Sequence, residues 1–127
     1  MVYVIDDDES IRRALQRLLR SADFEVRVFA SAEEFLQSGS IDERACVVLD
    51  IRMPGLTGFD LQEKLASMGI RMPVIIVSAF DDEESLERAR KLGATAFFRK
   101  PVDGEALIDA IHWATGFNKH GTRPSKS

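Results

Sequence analysis

Val47, Val48 and Leu49 run straight into a lone carboxylate, Asp50, and then into a turn carrying Pro54, Gly55 and Gly58. A strand with one wet face alternates apolar and polar residues. A short unbroken apolar run bounded by turn residues is instead the pattern of a strand buried on both faces, as in a parallel sheet covered by helices. A carboxylate on the last residue of such a strand sits at the sheet's rim. In open α/β sheets, ligands bind at that rim, outside the carboxyl ends of the strands.

The remainder of the chain fits this frame. Val2 to Ile5 is a short apolar run, a first strand. Residues 10–21 follow with Ile11, Ala14, Leu15, Leu18 and Leu19 at helical spacing. Val26, Val28 and Ala30 alternate with Arg27 and Phe29, a candidate edge strand. Ser31, with Glu34 three residues on, predicts a capping box for a second helix ending near Gly39. Residues 45–50 form the third strand. Thr57 or Gly58 opens a helix through Phe59, Leu61, Leu65 and Met68, stopped by Gly69. The fourth strand is Val74 to Ser78, followed by a helix over 81–92 with a thin apolar stripe of Leu86, Ala89 and Leu92 and exposed pairs of Glu84 with Arg88 and Glu87 with Lys91. A fifth strand over 95–98 precedes a last helix over 103–115. Five strands alternating with five helices predict an α/β fold, a doubly wound five-stranded parallel sheet. Residues 1–116 are expected to form one domain, with 117–127 a tail or the start of a linker.

Residues just after each parallel strand share one edge. The first strand delivers Asp6, Asp7 and Asp8, and the third ends in Asp50. The fourth ends in Ser78 and Ala79, and the fifth leads to Lys100 and Pro101. Each alone has an ordinary explanation as a cap, turn residue or solvated side chain. Arrival of all four sets at one rim is what calls for a chemical account. Clustered carboxylates raise one another's pKa unless compensated, and a divalent cation compensates them. Mg²⁺ takes one or two carboxylates and recruits phosphate oxygens. A carboxylate can act as a nucleophile and form an aspartyl-phosphate, with metal and ammonium stabilising the transferring group. No P-loop, GxGxxG or HExxH motif offers competing chemistry. His112 and His120 fall in the last helix and tail, and His112 is read as a helix-face residue.

Charge and cysteine usage narrow the classes further. The last ten residues hold Lys119, Arg123 and Lys126 and no acid. Without those three, 14 of the 17 basic groups face 21 acids over residues 1–117, a net −7. An acidic body is a poor binder of phosphate backbones, so direct nucleic-acid binding by this chain is not expected. The single cysteine, Cys46, excludes an internal disulfide and reads as a small buried hydrophobe. No apolar stretch approaches the ~20 residues of a membrane span. MVYVIDDD lacks a basic n-region and a cleavage site. The expected location is therefore cytoplasmic.

Four segments, VIDDDESIRRAL, VVLDIRMPGLTG, VIIVSAF and AFFRKP, closely resemble the response-regulator receiver domain of two-component signalling. The likeness covers residues 2 to about 115, in matching order and spacing. MPGLTG and FFRKP are most similar to the FixJ-type subfamily of the CheY-like superfamily, whose receivers usually precede a helix-turn-helix output domain. The resemblance implies the flavodoxin-like strand order 2-1-3-4-5 and assigns roles residue by residue. Asp50 would be the phosphoacceptor. Asp7 would ligate Mg²⁺ (or Mn²⁺) directly and Asp6 mostly through water, joined by Asp50 and the backbone carbonyl of Arg52. Asp8 would be a helix cap. Ser78 would be the switch hydroxyl, with Ala79 leaving room beside it. Lys100 would bridge to phosphoryl oxygens, aimed by a cis bond to Pro101. Phe97 would be the switch aromatic, moving by packing alone because it lacks a hydroxyl.

The implied partner is a sensor histidine kinase, followed by phosphorylation-dependent homodimerisation. The implied role is a signalling module that catalyses only its own phosphoryl transfer and dephosphorylation. Phosphorylation would reshape the surface of the fourth helix, fifth strand and fifth helix, and so control an attached output. A stand-alone receiver and a hybrid-kinase receiver stay open beside a piece of a transcription factor. A haloacid-dehalogenase-type phosphatase would need an acid where Arg52 stands. A pseudo-receiver would need a broken site.

Overall fold

The computed structural model describes residues 1–39, 41–79 and 82–116. The tail expected at 117–127 lies outside the described residues, as do Ser40, Phe80 and Asp81. The elements alternate as β1 (Val2–Ile5), α1 (Glu9–Ser21), β2 (Val26–Phe29), α2 (Ala32–Leu36), β3 (Cys46–Leu49), α3 (Gly58–Ser67), β4 (Val74–Ser78), α4 (Glu83–Lys91), β5 (Ala96–Arg99) and α5 (Gly104–Thr115). All pairings are parallel, in the order β2-β1-β3-β4-β5. Fold class and strand order are those expected.

Every residue of β1, β3 and β4 is buried, which is why these segments read as unbroken apolar runs. Side chains alternate across the sheet. Tyr3, Ile5, Val47, Leu49 and Ile76 meet Phe35 of α2 and Phe59, Leu61 and Leu65 of α3 on one face. Val2, Val4, Val48 and Val77 meet Leu15 and Leu19 of α1 and Leu107 and Ile111 of α5 on the other. Cys46 is fully buried, and burial pushes its thiol up to about 12, as befits an inert hydrophobe. No described helix is long and apolar enough to cross a membrane.

Element ends depart from expectation in instructive ways. Ala14 is exposed, because one step round a helix is ~100° and the buried face centres on Leu15 and Leu19. β2 stops at Phe29, leaving Ala30 exposed, while Phe29 turns inward against Tyr3 and Phe35. α2 is only five residues long. Ser31 caps it by accepting from Glu34 N at 3.0 Å, but the Glu34 carboxylate reaches Ala30 N rather than Ser31 N. α3 has the full reciprocal box between Thr57 and Asp60. It closes at Ser67, so Met68 caps it half-exposed instead of joining the core. β5 lies one residue later than expected. Asp8, Asp82 and Asp103 accept backbone N–H groups as N-caps of α1, α4 and α5.

α4 is thinly anchored. Of its expected apolar stripe only Ala89 is buried, with Leu92 half-buried beyond its end and Leu86 exposed. Its charges do not follow the expected Glu84–Arg88 and Glu87–Lys91 pairing. Glu87 pairs with Arg90, and Arg88 leans on α3, 3.8 Å from Glu63 and 4.4 Å above the Phe59 ring. Gln62 of α3 donates to the Ala89 carbonyl at 3.3 Å, while its buried Oε1 has no hydrogen-bond partner.

Core and surface positions should separate cleanly on mutation. Phe35 is fully buried and packs edge-on against Tyr3 at 5.1 Å and Phe29 at 5.3 Å. Phe35→Ala is expected to cost ~3–5 kcal/mol in urea unfolding. Met68→Ala, at a half-exposed site, should stay within about 0.5 kcal/mol of the parent.

Candidate functional site

β1 lies between β2 and β3, so the chain leaves β1 to one side and returns on the other. That reversal opens a crevice at the carboxyl ends of β1 and β3. Ile5 is in register with Leu49, and Asp50 N donates to Ile5 O at 3.0 Å. The residues that follow, Asp6 and Asp50, therefore emerge side by side. They are 2% and 5% exposed, so both carboxylates are removed from bulk water. Asp7 is exposed above them.

Lys100 arrives from the far side. Its backbone N donates to Ser78 O at 2.8 Å, tying the end of β5 to the end of β4. Its Nζ lies 2.9 Å from Asp6 Oδ2 and 3.6 Å from Asp50 Oδ1. The Lys100–Pro101 peptide is cis, as expected. The second oxygen of Asp6 accepts from Asp8 N at 2.9 Å, and Arg12 Nη1 donates to the Asp6 carbonyl at 2.8 Å. Both Asp6 carboxylate oxygens are thus engaged by protein donors. Ser78 is fully buried at the last position of β4, with Ala79 exposed beside it. Phe97, in register with Ile76, is half-buried against the core cluster on the α2–α3 face.

Electrostatics follow from this packing. Burial is the main reason the Asp50 carboxyl is pushed up to about 6, and the Asp6 charge adds to it. Lys100 opposes the rise, Asp7 adds to it, and a hydrogen bond from Arg52 N–H opposes it again. For Lys100, burial acts downward, but the hydrogen bond to Asp6 and the charges of Asp50 and Asp6 outweigh it and hold the pKa above its ordinary value. One oxygen from each of Asp6, Asp7 and Asp50 lies within 4.8 Å of the others, so one cation can meet all three carboxylates. The donor set is all hard oxygen, which suits Mg²⁺ or Mn²⁺.

Asp6, Asp7, Asp50 and Lys100 are thus brought together. Arg52 enters through its backbone N–H, its side chain being exposed. Three contributors went unnoticed in the sequence. By its sequence Gly58 is a turn residue or helix opener, yet a Cβ there would lie 2.5 Å from the Asp50 carbonyl and 2.9 Å from Ile51 Cα. Arg12 of α1 fixes the Asp6 carbonyl. Glu33, in the first turn of α2, accepts from Leu56 N at 3.0 Å in the loop after Asp50. Helical spacing carries no signal for any of these.

A family model for the response regulator receiver domain matches residues 2–112. Nodulation protein W of Bradyrhizobium diazoefficiens is 44% identical over 115 residues, covering 91% of this chain and 51% of that protein. Transcriptional regulatory protein FixJ of Azorhizobium caulinodans is 40% identical over 115 residues, covering 91% of this chain and 54% of that protein. The crystal structure of FixJ-N superposes with a TM-score of 0.83 at 32% identity, covering 90% of this chain and 91% of that one. The chain spans about half the length of the curated relatives it matches.

The raised pKa of Asp50 has a consequence for stability. A carboxyl that holds its proton more tightly when folded favours the folded state at low pH. That advantage is lost as pH rises from the unfolded value near 3.8 to about 6. In metal-free buffer at pH 7.5, Asp50→Asn should therefore be more stable than the parent, by on the order of 1–3 kcal/mol. The gain should fade as pH drops through 6 and vanish below 4, as read by thermal melts across pH.

Proposed function

This chain belongs to the response regulator receiver domain family, and on that premise we propose that it is a phosphorylation-controlled receiver whose Asp50 accepts a phosphoryl group from a sensor histidine kinase. The supporting observation is the Asp50 carboxylate 3.6 Å from Lys100 Nζ and within one cation's reach of Asp6 and Asp7. Asp7, Asp50 and the Arg52 backbone carbonyl would hold Mg²⁺ or Mn²⁺ directly. Asp6 would act through water, in keeping with its two oxygens already engaged by Lys100 and Asp8 N. Such an ion supplies the positive charge that lets a carboxylate cluster tolerate an incoming phosphoryl group.

The residues of the chain do the rest. Asp50 Oδ attacks phosphorus in line, the bond from phosphorus to the kinase imidazole nitrogen breaks, and that nitrogen keeps its electron pair. Lys100 turns from the carboxylates toward the phosphoryl oxygens. The product places roughly −1.5 to −2 charge at the rim. Ser78 then donates its hydroxyl to a phosphoryl oxygen, and Phe97 repacks. The thinly anchored α4 shifts with β5 and α5, a two-state change driven by local charge. Phosphorylation-dependent homodimerisation through that surface would control a DNA-binding output beyond this chain. The acidic body argues against direct nucleic-acid contact here, and the setting would be cytoplasmic.

Acetyl phosphate with Mg²⁺ should add one phosphoryl group per chain, mapped by mass spectrometry to Asp50, with none in EDTA or in Asp50→Asn. Lys100→Ala should slow labelling by roughly 10²–10³-fold. Sizing of the product should report a dimer. Folded protein left unmodified at Asp50 would overturn the reading; labelling without dimerisation would overturn only its last step.

A further inference from the structure

We propose that Glu33, on α2, is a positioning residue for phosphoryl acceptance, holding the loop at 51–57 in the shape that presents the Arg52 backbone to Asp50. The proposal rests on the reading of Asp50 as phosphoacceptor. The loop is anchored at its start by the buried side chains of Ile51 and Met53. At its end, Gly58 N donates to Ile51 O at 2.9 Å and Thr57 caps α3. Between these anchors, Pro54 and Gly55 are exposed. There the hold comes from outside the loop, where Glu33 Oε2 accepts from Leu56 N at 3.0 Å.

The fit is close on both sides. Gly55 has φ +76, and a Cβ at that position would collide with the Glu33 carboxylate. The carboxylate thus occupies the space that only glycine leaves open. Its own support is rigid, since α2 is pinned by Ala32 and Phe35, both fully buried. A hydrogen bond to an ionised acceptor is roughly twice as strong as a neutral one. The same loop carries the N–H that reaches Asp50 and the carbonyl proposed as a cation ligand. Glu33 therefore acts on the reaction from a neighbouring helix, without touching the reacting atoms.

A purely structural role in the first turn of α2 would move stability and leave cation affinity alone. The test compares the parent chain with Glu33→Met, which keeps the shape but loses the acceptor, and Glu33→Gln, which keeps a carbonyl acceptor. Mg²⁺ affinity is measured by calorimetry, acetyl-phosphate labelling by initial rate, and folding by melting. Glu33→Met should weaken Mg²⁺ binding and slow labelling by about tenfold with a near-parental melt, and Glu33→Gln should recover most of both. Gly55→Ala should cost Mg²⁺ affinity in the parent and less when combined with Glu33→Ala, which removes the group a new Cβ would meet. Parental affinity and rate in Glu33→Met, or additive effects of the two substitutions, would overturn the proposal. Should the parent itself take no label, the reading of Asp50 fails, and the calorimetric arm still decides the role of Glu33.

Discussion

Lys100 Nζ, 2.9 Å from Asp6 and 3.6 Å from Asp50, joins residues 94 positions apart and sets the charge balance of the whole rim. The ammonium is largely withdrawn from water, and so are the two carboxylates. Broken on one side, such a group leaves an uncompensated buried charge. The compensation is still partial, because Asp7 brings a third carboxylate to the cluster. Burial first, and that deficit after it, make Asp50 resist ionisation, and the deficit is why the site favours a hard divalent ion. A bare rim repels phosphoryl oxygens, and added positive charge inverts that preference.

The sheet gives this contact its precision. Asp6 and Asp50 follow strands in register at the reversal of strand order, and Lys100 follows β5 at the sheet's edge, beyond β4. Each side chain sits one residue beyond a strand whose position is fixed by apolar packing on two faces. Placement of the ionisable groups is thereby delegated to hydrophobic burial. Gly58 extends the principle, since the N-terminus of α3 closes onto the Asp50 backbone only because no Cβ intervenes.

Much of this was legible in the residues. Strands buried on both faces write themselves as β-branched runs, and strand-end acids stand out against them. Element ends were less legible, because they are settled by contacts that no local pattern encodes. Met68 falls on the apolar spacing of α3 yet lies past the point where the helix has a core to face. Ala14 has the right spacing and the wrong angle. Glu33 and Leu56 are 23 residues apart, and nothing in either neighbourhood announces the other. The pairing of Arg88 with Phe59 and Glu63 likewise replaces an expected bond within one helix by one between two.

The backbone bond from Lys100 N to Ser78 O spans 2.8 Å between the ends of β5 and β4. The hydroxyl residue proposed to sense new charge and the lysine that balances the old charge are therefore coupled by a single peptide contact. Displacement of one drags the other without passing through any side chain. Under the proposed reading, detection and reset would share one mechanical element, so a substitution that speeds the first would alter the second in the same stroke.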